Sequence, residues 1–485
     1  MTAREVVVIG GGLAGITAAI ELRDAGHRVT LLESRSRLGG AASSYARGSM
    51  TVDNGQHVFL RCCTAYRDLL ARLRATGQVR LQDRFDVTVL APGGKTARLR
   101  RTSLPSPLHL AGALAGYQLL SVRERARVGR AALGFWRADP ASPDLDRHRL
   151  GDWLAARGQG ERARRRLWDL FVVSTLNIAG DEASVPLAAT VVKTGLLGAR
   201  DAADIGIAAV PLGDLHGTAA AAMLTKLGVT VRLGAKAEAI ERLPGGGFRI
   251  GLARERAGDA GEDTVRDDGV DSEPDSPGGP SLSADGVVLA VPVERAARLA
   301  ATAGLAESSG WLALGYSPII NVHVLYDREV TKLPFAAAVD SPVQWVFDKT
   351  QQAGLRDGQY LAVSLSAADE YVDMSVAALR ELFLPALEQL FPAAATAGIT
   401  DFFVTRERRA TFRQVPGSGA LRPGAATSVP GLALAGAWTD TGWPDTMEGA
   451  VRSGHNAAQD LTSQLAWLPG ASSTAALDDA RTGAS

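Results

Sequence analysis

The sequence predicts an α/β protein in which a discontinuous Rossmann-like domain carries an inserted α+β domain. Two apolar runs, Glu5–Ile9 and Arg28–Glu33, are typical of buried strands, and they flank a segment of helical spacing, Ala14–Ala25. A strand, a helix and a second strand in this order form a parallel crossover. A similar strand returns far downstream at Leu432–Ala435, and 485 residues are too many for one small domain. We therefore expect the Rossmann-like domain to combine distant segments.

Periodicity and turn residues predict the elements between these strands. The turn Pro244–Gly247 indicates a hairpin. Residues 256–283 are rich in Gly, Asp, Glu, Ser and Pro and have almost no large apolar side chain, which predicts a disordered acidic insertion. The remaining predicted elements are a helix at Thr218–Leu227 and strands at Val229–Leu233, Ala237–Leu243, Phe248–Leu252 and Gly286–Val291.

These elements divide the chain into two domains. Residues 1–75, 205–300 and 401–467 are assigned to the nucleotide-binding domain, and residues 76–204 and 301–400 to the inserted domain. Residues 468–485 are rich in Ala, Ser and Asp, so we expect a mobile tail.

The composition excludes several classes of protein. Lys+Arg and Asp+Glu both total 52, so no net charge attracts nucleic acid. The two cysteines, Cys62 and Cys63, are adjacent and favour neither a disulfide nor a metal site. No apolar run approaches the roughly 18 residues that span a bilayer, and the N terminus lacks the pattern of a secretory signal. We expect a cytoplasmic protein that binds neither metal nor nucleic acid.

The glycine-rich segment after the first strand carries the strongest chemical signal. Gly10, Gly12 and Gly15 form a GxGxxG pattern, which permits a tight turn, close approach of a pyrophosphate and close packing of a helix on a strand. Leu13 and Ala14 begin that helix, whose unpaired N–H groups attract an anion. The pattern predicts a dinucleotide site.

The residues after the second strand extend this site. Glu33 lies about 20 residues beyond the glycines, where a carboxylate accepts hydrogen bonds from a ribose. Arg35 and Arg37 follow, and Gly39 and Gly40 let the chain pass close to a pyrophosphate or a flavin. An arginine before a glycine pair also fits a surface turn, but its place behind Glu33 favours the ligand. Here the sequence resembles the FAD-dependent amine oxidase and phytoene desaturase superfamily, which implies FAD as the cofactor.

A second group of residues lies near the C terminus. Gly436 ends the strand at Leu432–Ala435, a loop follows, and helical spacing begins at Thr446. We expect the N terminus of this helix, with Thr446, Met447 and Glu448, to face the flavin and to stabilise negative charge on its reduced form. An ordinary terminal helix on the sheet is the alternative, which the N-terminal motif disfavours.

The C-terminal segment narrows the resemblance to one branch of that superfamily. Residues Gly431–Gly454 resemble the squalene-associated branch, the hydroxysqualene dehydroxylases. Ala437 departs from the superfamily, which often has an acidic residue there, and Asp440 is the candidate substitute beside the flavin ribityl chain. Further fragments that resemble this branch are Asp53–His57, Trp168, Leu176–Asn177, Tyr316–Pro318, Gln344–Asp348 and Thr411–Phe412.

The resemblance implies reductive removal of the allylic hydroxyl of hydroxysqualene, giving squalene for hopanoid or related triterpene synthesis. Loss of water from an allylic alcohol leaves a delocalised cation, which a hydride from reduced flavin quenches in a dry pocket with a proton donor. Asp53 and His57 are the candidate proton donors, and Tyr316, Trp345 and Trp443 are the candidate aromatic lining. A structural role for His57 and a core role for the aromatic residues fit the sequence as well.

Two expectations concern partners. No second dinucleotide fingerprint occurs, so we expect a separate electron donor in addition to the polyisoprenoid substrate. The apolar segment Leu108–Leu120 and the arginines that follow it, Arg123, Arg125 and Arg127, fit either peripheral contact with the inner face of a membrane or a buried helix.

Three other functions stay open from the sequence. A carotenoid-type desaturase would transfer hydride in the opposite direction, from the substrate to the flavin. An amine oxidase would need an aromatic pair around the amine, and no such pair can be assigned. A non-catalytic partner of a terpene synthase would retain FAD without turnover.

Overall fold

The computed structural model describes residues 2–254 and 280–468 of the chain. The strands are β1 Glu5–Ile9, β2 Arg28–Leu32, β3 Ser44–Arg47, β4 Met50–Asp53, β5 Val58–Leu60, β6 Val79–Leu81, β7 Asp86–Ala91, β8 Lys95–Arg100, β9 Ile205–Ala208, β10 Thr230–Arg232, β11 Ala237–Arg242, β12 Phe248–Leu252, β13 Ser281–Ala284, β14 Gly286–Leu289, β15 Ser317–Tyr326, β16 Phe335–Ala338, β17 Trp345–Asp348, β18 Gln359–Leu365, β19 Ile399–Thr411 and β20 Leu432–Leu434. The α-helices are α1 Leu13–Asp24, α2 Thr64–Arg72, α3 Ala111–Ala115, α4 Val122–Arg137, α5 Leu150–Ala155, α6 Glu161–Ala163, α7 Asp169–Leu176, α8 Val185–Val191, α9 Ala219–Leu227, α10 Val293–Thr302, α11 Val376–Leu390, α12 Ser418–Leu421 and α13 Met447–Leu465. The mixture of helices with parallel and antiparallel strands confirms the α/β class.

A parallel sheet of five strands, in the order β10–β2–β1–β14–β20, organises the first part of the molecule. In β1, Val7 and Ile9 pack on one face of the sheet and Val6 and Val8 on the other, and all four are buried. Burial on both faces explains the continuous apolar run in the sequence. Because the strands are parallel, the loops after β1, β2, β14 and β20 meet at one edge of the sheet.

A three-stranded antiparallel sheet, β11–β12–β13, contains the hairpin predicted at Pro244–Gly247. Its last strand begins at Ser281, so the insertion predicted at 256–283 is wrong at its C-terminal end. Leu282 pairs with Ile250 of β12, and the serines on either side give the alternation of a paired strand. The rest of that insertion and the tail after Leu468 lie outside the described residues.

The second large sheet has seven strands in the order β19–β15–β18–β17–β16–β7–β8. It joins two strands that precede residue 101 to five that follow residue 316. The domain boundary predicted between residues 400 and 401 is wrong, because it cuts through β19, Ile399–Thr411. That stretch contains no Gly or Pro, so nothing in the sequence indicates where the sheet ends.

Helices α3 to α8 share a hydrophobic core with the inner face of the second sheet. The apolar segment Leu108–Leu120 is a 3-10 turn followed by the short helix α3, and Tyr117 and Leu120 are buried while Leu108 is 56% exposed. One face of this segment is therefore buried, as the alternative of a buried helix predicts, and the other face is exposed. No helix in the described ranges is long and apolar enough to cross a bilayer.

Candidate active site

The glycine loop between β1 and α1 is shaped by close contacts between backbone atoms. Gly10 has a φ of +112°, and a Cβ there would lie 2.2 Å from the Ala290 carbonyl oxygen. A Cβ on Gly15 would lie 1.9 Å from the Gly10 carbonyl oxygen. Neither position has room for a side chain, so the two glycines fix the turn and the packing of α1 on the sheet.

Gly12 differs from its neighbours because the space in front of it is open. It precedes α1, and the nearest heavy atom to a Cβ built there is the Cα of Gly40, at 3.8 Å. The first-turn N–H groups of Leu13 and Ala14 have no partner within the helix. An open cradle beside unpaired N–H groups at a helix N terminus fits a pyrophosphate.

Glu33 follows β2 and is 7% exposed. Its Oε2 accepts a hydrogen bond from the Gly11 backbone N at 2.7 Å, and its Oε1 accepts one from the Arg35 backbone N at 2.8 Å. The carboxylate thus ties the glycine loop to the end of β2, while the side chain of Arg35 is exposed. Contact between Glu33 and a ribose stays a prediction.

The segment after Glu33 returns to the glycine loop. The Gly39 backbone N donates to the Gly11 carbonyl at 2.9 Å, and Gly39 also forms a β-bridge with Gly12. Gly40 has a φ of +58°, and a Cβ there would lie 2.8 Å from the Gly12 Cα. With the half-buried Arg37 just before them, these glycines line the same cradle.

The C-terminal segment reaches the same edge of the sheet. Gly436, with a φ of +140°, follows β20, and the Trp438 side-chain Nε1 donates to the Val291 carbonyl at 3.0 Å. Thr446 caps α13 by accepting a hydrogen bond from the Gly449 backbone N at 3.2 Å, so the helix begins at Met447, one residue after the predicted start. The N terminus of α13 therefore follows directly on the loop after β20.

Two acidic residues of this segment bind protein groups. The buried carboxylate of Glu448 accepts hydrogen bonds from the backbone N of Ala65 at 3.2 Å and of Tyr66 at 2.8 Å, and it pairs with Arg452. It therefore caps α2, and the orientation of the N terminus of α13 toward the flavin stays a prediction. Asp440 is exposed and accepts a hydrogen bond from the Gly442 backbone N at 3.1 Å, so its role beside the ribityl chain stays a prediction.

Asp53, at the end of β4, is 4% exposed and forms an ion pair across the molecule. Its Oδ1 accepts hydrogen bonds from the Ser44 hydroxyl at 2.6 Å and the Leu212 backbone N at 2.9 Å. Its Oδ2 lies 2.8 Å from the Lys349 Nζ, and the Lys349 side chain is 12% exposed. A carboxylate and an ammonium group are thus held together in the interior.

A narrow cleft lies beside this ion pair, where β5 and β9 meet the second sheet. His57 and Lys349 line it, whereas Asp53 lies behind Lys349. Burial lowers the pKa of His57, so its imidazole is neutral near pH 7. The lining residues are Gln56, His57, Val58, Ile207, Ala208, Pro334, Phe347, Asp348, Lys349 and Gln352.

Two further histidines are buried nearby. His216 donates through Nδ1 to the Ala42 carbonyl at 3.0 Å and faces the Tyr66 hydroxyl through Nε2 at 2.8 Å, and burial lowers its pKa to about 4. His323 bonds the Tyr360 hydroxyl at 2.7 Å, and burial lowers its pKa to about 3. Both imidazoles are therefore neutral near pH 7.

Trp345 lies in an aromatic group that reaches the cleft. Its ring centroid is 6.4 Å from that of Phe335 and 6.3 Å from that of Phe347, and Phe347 lines the cleft. Phe347 is therefore the ring beside Lys349, and Trp345 and Phe335 pack against it.

The other two predicted aromatic residues lie elsewhere. Trp443 packs under Arg452, whose guanidinium carbon is 4.8 Å from the ring centroid. Tyr316 directly precedes β15, and the Arg409 guanidinium carbon lies 5.9 Å from its ring centroid. Ring contacts among the described residues join neither of them to Trp345, so the structure does not bring the predicted aromatic lining together.

Sequence reasoning missed two polar residues at this site. Lys349 directly follows the fragment Gln344–Asp348, but only the folded chain brings it to Asp53. Asp445 accepts a hydrogen bond from the Phe412 backbone N at 3.0 Å, and burial raises its pKa to about 6. The sequence signal for Asp445 is its position directly before Thr446, the N-cap of α13.

Comparison with known proteins gives the chain a family. The family described as flavin containing amine oxidoreductase matches residues 13–462. A hydroxysqualene dehydroxylase of Rhodopseudomonas palustris is 30% identical over 480 residues, which cover 94% of this chain and 97% of that protein. One of Sinorhizobium fredii is 28% identical, with coverage of 94% and 97%.

Two proteins with other names are also similar to this chain. A zeta-carotene desaturase of Synechocystis is 25% identical over 505 residues, which cover 96% of this chain and 98% of that protein. A solved structure of putrescine oxidase superposes with a TM-score of 0.69 at 18% identity, covering 95% of this chain and 99% of that one. The second similarity shows the fold alone.

Proposed function

The chain belongs to the flavin containing amine oxidoreductase family and is an FAD-dependent oxidoreductase, and we propose that it removes the hydroxyl group of hydroxysqualene reductively to give squalene. The observation that carries this proposal is the match to two hydroxysqualene dehydroxylases over nearly the whole of both chains. The product would serve hopanoid or related triterpene synthesis.

The residues at the edge of the parallel sheet fit FAD. The open space before Gly12 and the amides of Leu13 and Ala14 suit its pyrophosphate, and Glu33 lies beside that cradle. Gly436 and the N terminus of α13 would hold the flavin end. When bound in its reduced form, FAD supplies the hydride for the reaction.

Departure of the hydroxyl group requires a proton, and Lys349 is the group placed to give it. Its ammonium group lines the cleft, whereas Asp53 lies behind it and His57 is neutral near pH 7. Nζ–H breaks as a new O–H bond forms, and the C–O bond then breaks to release water. Asp53 thus acts through Lys349 as a positioning residue, and His57 offers hydrogen bonds.

The ion pair also supplies an electrostatic effect. Before proton transfer, the charges of Lys349 and Asp53 cancel. After it, the pair carries the charge of the Asp53 carboxylate alone, which favours positive charge on the neighbouring allylic carbon. Phe347, backed by Trp345 and Phe335, would keep water away and present an aromatic ring to that cation.

The test is product analysis under anaerobic conditions. The purified holoenzyme is reduced with dithionite and mixed with hydroxysqualene, and the extract is analysed for squalene by gas chromatography and mass spectrometry. Squalene in proportion to flavin supports the proposal. Bound FAD without squalene overturns it. In the cell, a separate electron donor would reduce the flavin between turnovers.

A carotene desaturase is the second candidate, favoured by the nearly full-length match to the Synechocystis protein. It would transfer hydride from a polyene to oxidised flavin. Anaerobic bleaching of the oxidised flavin by phytoene or zeta-carotene, with no squalene from the allylic alcohol, would establish it instead.

A further inference from the structure

Helix α4, Val122–Arg137, has one face packed in the core. Val128, Ala131 and Phe135 are buried, and Ser121 and Glu124 form a capping box at its start. A surface helix of this kind ordinarily turns polar side chains to solvent.

The opposite face of α4 is apolar instead. At about 100° per residue, an apolar strip runs along the side away from the core. Within it Val122 is 72% exposed, Leu133 44% and Trp136 60%. The full strip is Val122, Ala126, Gly129, Leu133 and Trp136.

Arginines line one side of this strip. Arg123, Arg127, Arg130 and Arg137 are all exposed, and no ion pair joins any of them to an acidic residue within the described ranges. An apolar strip beside a row of arginines is the pattern of a helix that lies in a membrane interface, with the arginines at the phosphate level.

We propose that this outer face of α4 docks the protein on a membrane rich in anionic phospholipid. The Arg125 side chain bonds the Ala115 carbonyl and so joins α3 to α4, and the segment before α3 carries two further exposed leucines, Leu104 at 48% and Leu108 at 56%. A polyisoprenoid is a membrane solute, so docking brings the enzyme to its substrate. Vesicle binding needs no turnover and no particular substrate, so this proposal and the proposed function fail separately.

Two other occupants fit less well. A second copy of α4 would bring two rows of arginines together, which is unfavourable. Residues 255–279 carry nine acidic residues and two arginines, but their largest apolar residues are two valines, which cannot cover a tryptophan and a leucine.

Flotation of the full-length holoenzyme with vesicles tests the docking face. Vesicles of phosphatidylcholine and phosphatidylglycerol at 3:1 should bind the wild type, and pure phosphatidylcholine should bind it at least tenfold more weakly. The double variant Leu133→Ser/Trp136→Ser should lose binding to both. The double variant Arg130→Gln/Arg137→Gln should lose roughly fivefold per arginine on anionic vesicles only.

Matched controls lie elsewhere on the surface. Trp467→Ser removes a tryptophan that is 90% exposed, and Arg408→Gln removes an exposed arginine, and both should bind as the wild type does. Flavin absorbance and circular dichroism verify folding of every variant. Absence of wild-type binding, equal binding by the α4 variants, or a dimer in sedimentation that Leu133→Ser/Trp136→Ser dissolves would each overturn the proposal.

Discussion

The glycine loop at the edge of the parallel sheet and the cleft around Lys349 are built in opposite ways. The loop takes its residues from one turn and the strand after it, and it works because side chains are missing. The cleft takes Asp53 and Lys349 from segments far apart in the chain, and it works because two charges are paired inside the protein. Substitutions in the loop should therefore act through steric clashes, and substitutions in the cleft should act through the loss of a charge.

The largest effect is expected at Gly15. Gly15→Ala places a Cβ 1.9 Å from the Gly10 carbonyl oxygen, which forces α1 away from the sheet. We expect a loss of about 3 kcal/mol in the free energy of unfolding, together with loss of bound flavin. Urea unfolding measures it. Gly129→Ala, in the middle of α4 with open space around it, should instead stabilise the protein by up to about 1 kcal/mol.

The next largest effect on stability is expected at the cleft, when one of its two paired charges is removed. Asp53→Asn leaves the Lys349 ammonium group, 12% exposed, without its anion, and we expect about 3 kcal/mol of destabilisation. The control is Asp144→Asn, which breaks an exposed ion pair with Arg147 and should cost less than about 1 kcal/mol. Equal costs in the two urea titrations would contradict the account of the buried pair.

The buried histidines give the region around the cleft a pH dependence. The folded pKa of His216, about 4, lies below the unfolded value of about 6.5, so protonation favours the unfolded chain. Its contribution is fully present above pH 6.5 and falls by up to about 3 kcal/mol as the pH drops to 4. The free energy of unfolding is measured by urea denaturation at several pH values from 7 to 4. It should depend less on pH in His216→Gln than in the wild type. An unchanged slope in His216→Gln would contradict this prediction.

The smallest effect on stability is expected at Gly12, where the loop has room for a methyl group. Gly12→Ala meets nothing closer than the Gly40 Cα at 3.8 Å, so the melting temperature of the apoprotein should not change. The methyl group occupies the pyrophosphate cradle, so FAD should bind at least about tenfold more weakly. Fluorescence titration of the apoprotein with FAD measures this. Unchanged affinity would place the pyrophosphate elsewhere.

The same contrast explains what the sequence predicts and what it does not. Gly10, Gly12 and Gly15 with the apolar run before them predict the parallel sheet and a dinucleotide site, because a backbone turn of this shape needs glycine at fixed spacing. FAD follows only from the family resemblance of the residues after Glu33. The partner of Asp53 is not predictable, because Lys349 reaches it only through the second sheet.

Other features of the fold are unpredictable for the same reason. Glu448 caps α2 because the fold brings Tyr66 at the start of α2, 382 residues earlier in the chain, against its carboxylate. The extent of β19 depends on pairing with β15, which no local signal records.

The most direct test follows the reoxidation of reduced, enzyme-bound flavin by hydroxysqualene in an anaerobic stopped-flow instrument, with Lys349→Gln beside the wild type. We expect squalene to form as the wild-type flavin reoxidises. In Lys349→Gln, FAD should stay bound and the protein folded, but reoxidation should slow at least about hundredfold. Equal rates in the two proteins, or wild-type reoxidation without squalene, would contradict the account.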